Sequence, residues 1–216
     1  QSNVNREKDE ARKNEGQPPR DGDAQQVVKG RREIEDGRGK RTELVTAGVG
    51  YKLHASMNAQ AEIITSVVVT AGNASDNKQF LRLVGRDRKL GLPVTTYAAD
   101  RGYDDGENHY SLESEGLHSA IRLKDARTRR KDGHEGVWVA LAATPEYREG
   151  QAERYKIERK FGEATANHGL RRCRFLGWFG YAMQAYFTAI ALNLKRMVRT
   201  LTGVAFGGRA RVGMTA

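Results

Sequence analysis

Thr95-Thr96-Tyr97-Ala98-Ala99-Asp100-Arg101-Gly102-Tyr103-Asp104 is an apolar, strand-like run that ends in a carboxylate and passes at once into a glycine turn. The pattern predicts a buried strand with Asp100 at its carboxyl end, where open α/β sheets present their ligands. An aspartate there can equally cap the next helix or satisfy turn amides. What the rest of the chain brings to it decides between these roles.

Working outward, Gly50-Tyr51-Lys52-Leu53-His54-Ala55-Ser56-Met57 alternates, and Ile63-Ile64-Thr65-Ser66-Val67-Val68-Val69-Thr70 is β-branched almost throughout. Joined by Asn58 to Glu62, the two predict an antiparallel hairpin. Ala71 to Asp76 then supplies a turn and an N-cap at Ser75, and Lys78, Phe80, Leu81 and Val84 mark an amphipathic helix to about Leu90, closed by Pro93. Beyond Asp100 a helix is expected from about Asp104 to Glu115, ended by Gly116, and a short strand over Ser119 to Leu123. This order of strands and helices indicates a mixed α/β sheet.

Residues 122–134 turn basic, with Arg122, Lys124, Arg127, Arg129, Arg130 and Lys131, which suits a solvated loop or one that contacts phosphates. Val137 to Leu141 fits a further strand or a loop packed on the core. Pro145 opens a long helix, Glu146 to about Asn167, that Gly169 would stop. On it Arg154 and Glu158 lie one turn apart and share a face.

The 37 Lys and Arg outnumber the 27 Asp and Glu for a net charge of +10, a balance that favours polyanions, above all nucleic acid. Residues 151–199 hold 10 Lys or Arg and 3 Asp or Glu, so Glu158 sits in the most basic region. Cys173 is the single cysteine, which excludes an intrachain disulfide and a cysteine-based zinc site and fits a reducing cytoplasm. Cys173 reads as a packing or surface residue. The five histidines show no metal-ligand spacing, and no phosphate-binding glycine loop follows a strand.

Three parts are expected along the chain. Residues 1–47 form a polar, mostly disordered arm: residues 1–44 carry 11 basic and 10 acidic side chains and few large apolar ones. Residues 48–202 form the folded unit, and 203–216 a disordered tail. Leu176 to Leu201 lacks charge between Arg174 and Lys195, long enough to cross a bilayer. Gln184, Thr188 and Asn193 interrupt it and both ends are basic, so it reads as a buried helix with Met183, Phe187, Ile190 and Leu194 facing the sheet.

A carboxylate at a strand end and another on a returning helix can together hold a divalent cation, because Mg²⁺ prefers hard oxygen ligands and keeps several waters. Asp100 and Glu158 are that candidate pair. Four blocks now carry a family resemblance: Gly50-Tyr51-Lys52-Leu53-His54, Val69-Thr70-Ala71-Gly72-Asn73-Ala74-Ser75-Asp76, Ala99-Asp100-Arg101-Gly102-Tyr103-Asp104, and Ile157-Glu158-Arg159-Lys160-Phe161-Gly162 through Gly169-Leu170-Arg171-Arg172. In this order, from about Gly50 to Arg196, the chain resembles the DDE transposases of bacterial insertion sequences.

The resemblance implies a ribonuclease H-like mixed sheet flanked by helices, two Mg²⁺ or Mn²⁺ ions, and DNA cleavage and strand transfer at transposon ends. By it Asp100 and Glu158 are catalytic and metal-binding and Arg154 accompanies Glu158; Arg101, Arg154, Arg159, Arg171, Arg172 and Arg174 are the candidate DNA contacts, with a solvated face as the other reading of Arg171, Arg172 and Arg174. It further implies transposon ends and target DNA as partners and a homo-oligomer when active; a cytoplasmic protein with no membrane contact is expected from the cysteine count and the interrupted apolar stretch. Gln151 and Thr165 depart from the family's usual Tyr and Lys. The first acidic residue of the triad is expected on a strand ahead of Tyr51. Nothing before Gly48 reads as such a strand, and the chain opens on Gln1 rather than Met, so that strand is expected upstream; Asp21 or Asp23 is the alternative. A catalytically inactive remnant that binds DNA through its charge is the competing reading, and a basic nucleic-acid-binding protein with no metal site is a third.

Overall fold

The computed structural model describes residues 2–3, 11–35, 41–124 and 140–203. Its longest strand, β3 (Arg41–Asn58), is the axis of an antiparallel sheet with β1 (Ser2–Asn3), β2 (Gln25–Glu35) and β4 (Ile63–Ala71). Gly50 pairs with both Gln25 of β2 and Asn3 of β1, and Tyr51 with both Ser2 of β1 and Ala71 of β4. Thus β2 and β4 follow one another along one edge of β3, while β1 lies on the opposite edge. The close approach where these strands meet requires Gly72, since a Cβ there would lie 2.5 Å from the Gln25 carbonyl oxygen.

The β-branched run of β4 is buried continuously from Ser66 to Thr70. Such a strand has both faces covered, here by α1 (Asn77–Lys89) and by α5 (Gly177–Thr202). Under α5 the core consists of Tyr51, stacked 5.1 Å from Tyr181, with Val67, Val69, Ala185 and Leu192. A second sheet of two parallel strands, β5 (Thr96–Ala99) and β6 (His118–Ile121), packs with α2 (Gly106–Glu113) around Phe80, Val84, Leu112 and Ile121. Helices α3 (Pro145–Glu153) and α4 (Tyr155–Asn167) follow, α3 lying on β5 and β6.

Several expectations change. Residues 25–35 and 41–47, placed in a disordered arm on composition, form paired strands, because a hairpin satisfies its backbone groups by pairing whatever its side chains contribute. The helix beginning at Pro145 is two helices that meet at Arg154. Asp76 rather than Ser75 stands at the N-cap of α1, and its carboxylate bonds Lys52 instead of a helix amide.

Met183, Phe187, Ile190 and Leu194 face outward, while Tyr181, Ala182, Ala185, Ala189 and Leu192 meet the sheet. The small alanines let the helix backbone come close to a sheet whose volume Tyr51 and Val69 already fill. Among the described residues no helix is long and apolar enough to cross a membrane. Residues 140–142 are helical; the rest of the Val137 to Leu141 segment, the basic loop beyond Lys124 and the tail from residue 204 lie outside the described residues.

Candidate active site

Asp100 ends β5 and turns its carboxylate back on the backbone, accepting the Arg101 amide at 2.7 Å. This caps the 3₁₀ turn Arg101–Tyr103, so the capping role of the residue is real. It leaves the side chain 61% exposed and, among the described residues, the other carboxylate oxygen without a backbone bond.

Helix α3 carries the second half of the site. Thr144 caps it by accepting the Tyr147 amide, and Pro145 occupies the first turn. Gly150 lets it seat on the two-stranded sheet: a Cβ there would fall 2.7 Å from that of Ala120 and 3.3 Å from that of Ala98. The adjacent Gln151 amide donates to the carbonyls of Ala99 (3.2 Å) and Ala120 (2.5 Å), bolting α3 across the ends of β5 and β6. Gln151, a departure from the family pattern, thus has a positioning role that only the packing of α3 discloses.

Arg154, at the junction of α3 and α4, then reaches both carboxylates. Its Nη1 lies 2.8 Å from Glu158 Oε1 and 3.7 Å from Asp100 Oδ1. One guanidinium nitrogen therefore draws together two acids 58 positions apart in sequence. Glu158 is 57% exposed. Both open on a cavity of about 990 Å³ between the two sheets, walled by β3, β5, α1, α3 and α4.

Residues of the quoted blocks whose contacts the sequence did not show line the same region. Lys52 Nζ donates to Asp76 Oδ1 and to the Ala74 carbonyl. His54 sits between the hydroxyls of Tyr103 (2.9 Å) and Thr70 (3.2 Å). Burial, followed by the charges of Asp76 and Asp100, raises the Tyr103 phenol above its ordinary range, so it remains a neutral hydroxyl beside Asp100.

Behind them Asp104 accepts from His109 Nε2 (2.9 Å), and Ser119 Oγ bonds His109 Nδ1 (2.7 Å). Burial by itself would raise the Asp104 carboxyl, but the bonds from His109 and the Lys124 amide outweigh it and hold it low. The string has the residue types of a hydrolytic triad with the two imidazole nitrogens exchanged, and all three residues are buried. It ties the turn after β5 to α2 and β6 and so holds Asp100 in place.

The other arginines fall elsewhere. Arg101 is exposed beside Asp100. Arg159 pairs with Glu62 at 2.5 Å and lies over the Tyr155 ring. Arg171, Arg172 and Arg174 are exposed beyond the far end of α4, which at 1.5 Å per residue places them roughly 13 Å or more along the helix from Glu158.

Asp21 and Asp23 are not brought to the site. Asp21, buried, accepts from Tyr51 Oη (2.6 Å), from the Ala24 amide and from the Gly177 amide (3.0 Å), and Asp23 accepts from the Trp178 amide (2.9 Å). The two carboxylates cap α5 on the Tyr51 face of the sheet, while Lys52 and His54 look the other way. Among the described residues no group of three or more His, Cys, Asp or Glu is clustered to hold a metal. Asp100 and Glu158 converge on one guanidinium nitrogen of Arg154 and keep more than half of their side-chain surface exposed; oxygen donors of this kind are what a hard divalent cation would require.

Residues 23–194 match a protein family described as the transposase DDE domain. The chain is 28% identical over 158 residues to the transposase for insertion sequence element IS1106 of Neisseria meningitidis serogroup B, a match covering 73% of this chain and 50% of that protein. The chain thus spans about half the length of this curated relative. No solved structure matches it.

Proposed function

We propose that this chain, which belongs to the transposase DDE domain family, supplies from Asp100 and Glu158 the metal-holding carboxylates of a centre that cuts DNA at insertion-sequence ends and joins it to a target. The observation that carries the reading is the meeting of these two acids on Arg154 at the mouth of a cavity. The mixed sheets flanked by helices are compatible with a ribonuclease H-like arrangement. A bound Mg²⁺ or Mn²⁺ pair would stabilise the attacking and leaving oxygens of an in-line phosphoryl transfer.

The chain's own groups do the rest. Arg154 balances the two carboxylates and sets their spacing. Exposed Arg101 meets the phosphodiester backbone beside Asp100, and Arg171, Arg172 and Arg174 hold it at a distance, giving the salt-dependent contacts that position DNA without reading sequence. Arg159, engaged by Glu62, orients α4. Assembly as a homo-oligomer on two DNA ends belongs to the same reading.

The test is nicking of supercoiled DNA carrying insertion-sequence ends. Nicking that requires Mg²⁺ or Mn²⁺ and falls by more than about 100-fold in Asp100→Ala and in Glu158→Ala supports the assignment. Because the described residues hold two rather than three clustered acids, a second reading stands beside it, in which the chain binds DNA and does not cut it. Salt-dependent binding unaffected by metal, with no nicking, selects that reading.

A further inference from the structure

Helix α5 is apolar on two sides, and one of them is packed against the sheet through Tyr181, Ala185 and Leu192. At 100° per residue, Ile190 marks the opposite side. Leu194, Met197 and Leu201 follow Ile190 there after four, seven and eleven residues. Tyr186, Met183 and Phe179 precede it by four, seven and eleven. All seven side chains are exposed, Phe179 by 72% and Leu201 by 84%. An eleven-residue spacing of this kind stays close to the 3.6-residue turn, so the row runs straight along the helix.

The size of the row calls for an occupant. Its exposed side chains amount to on the order of 800 Å², which exceeds the usual apolar patch of a monomer and equals what a stable interface takes from each partner.

Two features select a second copy of this chain. The first is spacing, which reads the same in either direction from Ile190. An identical helix laid antiparallel therefore places Ile190 on Ile190, Tyr186 on Leu194, Met183 on Met197 and Phe179 on Leu201. A contact about a two-fold axis demands such self-matching. In two of the pairs an aromatic ring meets a leucine, so bulk on one side meets less on the other.

The second is charge. No charged residue lies between Arg174 and Lys195. Lys195 and Arg196 turn away from the row, where Glu163 and Glu62 take them up. Pairing therefore brings no charge into the contact. Charge also sets the direction: parallel helices would set exposed Arg171, Arg172 and Arg174 beside their own copies. Antiparallel helices send the two clusters to opposite ends of the 26-residue helix, about 39 Å apart.

We propose that this side of α5 is a dimer interface, on which two copies of the chain pair antiparallel with the two-fold axis at Ile190, without DNA or metal. The proposal rests on the functional reading above only for the use that two copies would have; the pairing itself is read from α5.

Sedimentation velocity over a range of micromolar concentrations tests it. The parent is expected to reach twice the chain's 24.0 kDa. Ile190→Arg, which meets itself on the axis, should raise the dissociation constant about 100-fold or more. Leu90→Arg, on the exposed part of α1, should leave it unchanged. Circular dichroism checks that each variant is folded, and cysteine cross-linking gives an answer that does not depend on Ile190→Arg folding. Phe179→Cys and Leu201→Cys chains, mixed and oxidised, should cross-link to each other and not each to itself, with the parent and its core-packed Cys173 as the blank. A parent that stays monomeric overturns the proposal, as does a dimer that folded Ile190→Arg leaves intact. Self-linked products without the mixed one also overturn it, since they report parallel helices. Neither DNA nor metal enters these measurements, so their failure leaves the catalytic reading untouched, and failure of nicking leaves the dimer untouched.

Discussion

His54 shows how one buried side chain reports on the region beneath Asp100. Burial is the main influence on it; Asp76 pulls its pKa up and Lys52 pushes it down, and the imidazole is pushed down to about 4. With a folded value below the unfolded one, near 6.5, the stabilisation is present above pH 6.5 and lost as pH falls toward and through 4. Denaturant titrations at pH 7, 5.5 and 4 should show a loss of up to about 3 kcal/mol that His54→Gln largely abolishes. Equal pH dependence in the two proteins would mean that His54 is not buried neutral. Cys173 behaves in keeping with its sequence context: packed against the α5 core, its thiol is raised to about 12 by burial and is chemically quiet. Arg154, one turn from Glu158, was legible as that acid's partner. Its reach to Asp100 was not, because that contact depends on where α3 lies.

Helix α3 decides whether the two acids meet. Gly150 is its contact point with Ala120 and Ala98, and Gln151 its bolt to the strand carbonyls. Gly150→Ala is expected to cost about 1–3 kcal/mol by crowding Ala120. Ala120→Gly in that background should restore part of it, so thermal denaturation of the single and double variants forms a closed cycle. Additive effects would show that the two residues do not touch. The elements themselves were readable, since caps, turns and period-two patterns are local signals: β4, α1, β5 and α2 lie within a few residues of their expected bounds. Facing was not. Helix α5 is apolar on nearly every side, so its composition gives no direction, and the alanine side won because it packs closest to the sheet. Asp21 or Asp23 was the alternative for the first acid of the triad, and their use as caps of α5 instead joins residues over 150 positions apart.

At the scale of the whole molecule, the sheet is divided, and the candidate site lies at the division. Local patterns do not show how the strands group, because pairing joins residues far apart in sequence. The charge of +10 was legible and is consistent with a DNA-handling family, yet its placement was not: Arg154 pairs with Asp100 and Glu158 and Arg159 with Glu62, and Arg171, Arg172 and Arg174 lie exposed past the end of α4. On the proposed function, Asp100 and Glu158 act as one cation site. Titration of Mn²⁺ into the chain, with free ion followed by electron paramagnetic resonance, addresses it directly. The expected result is binding by the parent that weakens about tenfold or more in Asp100→Ala and likewise in Glu158→Ala; binding by both variants with the parent's affinity would contradict it.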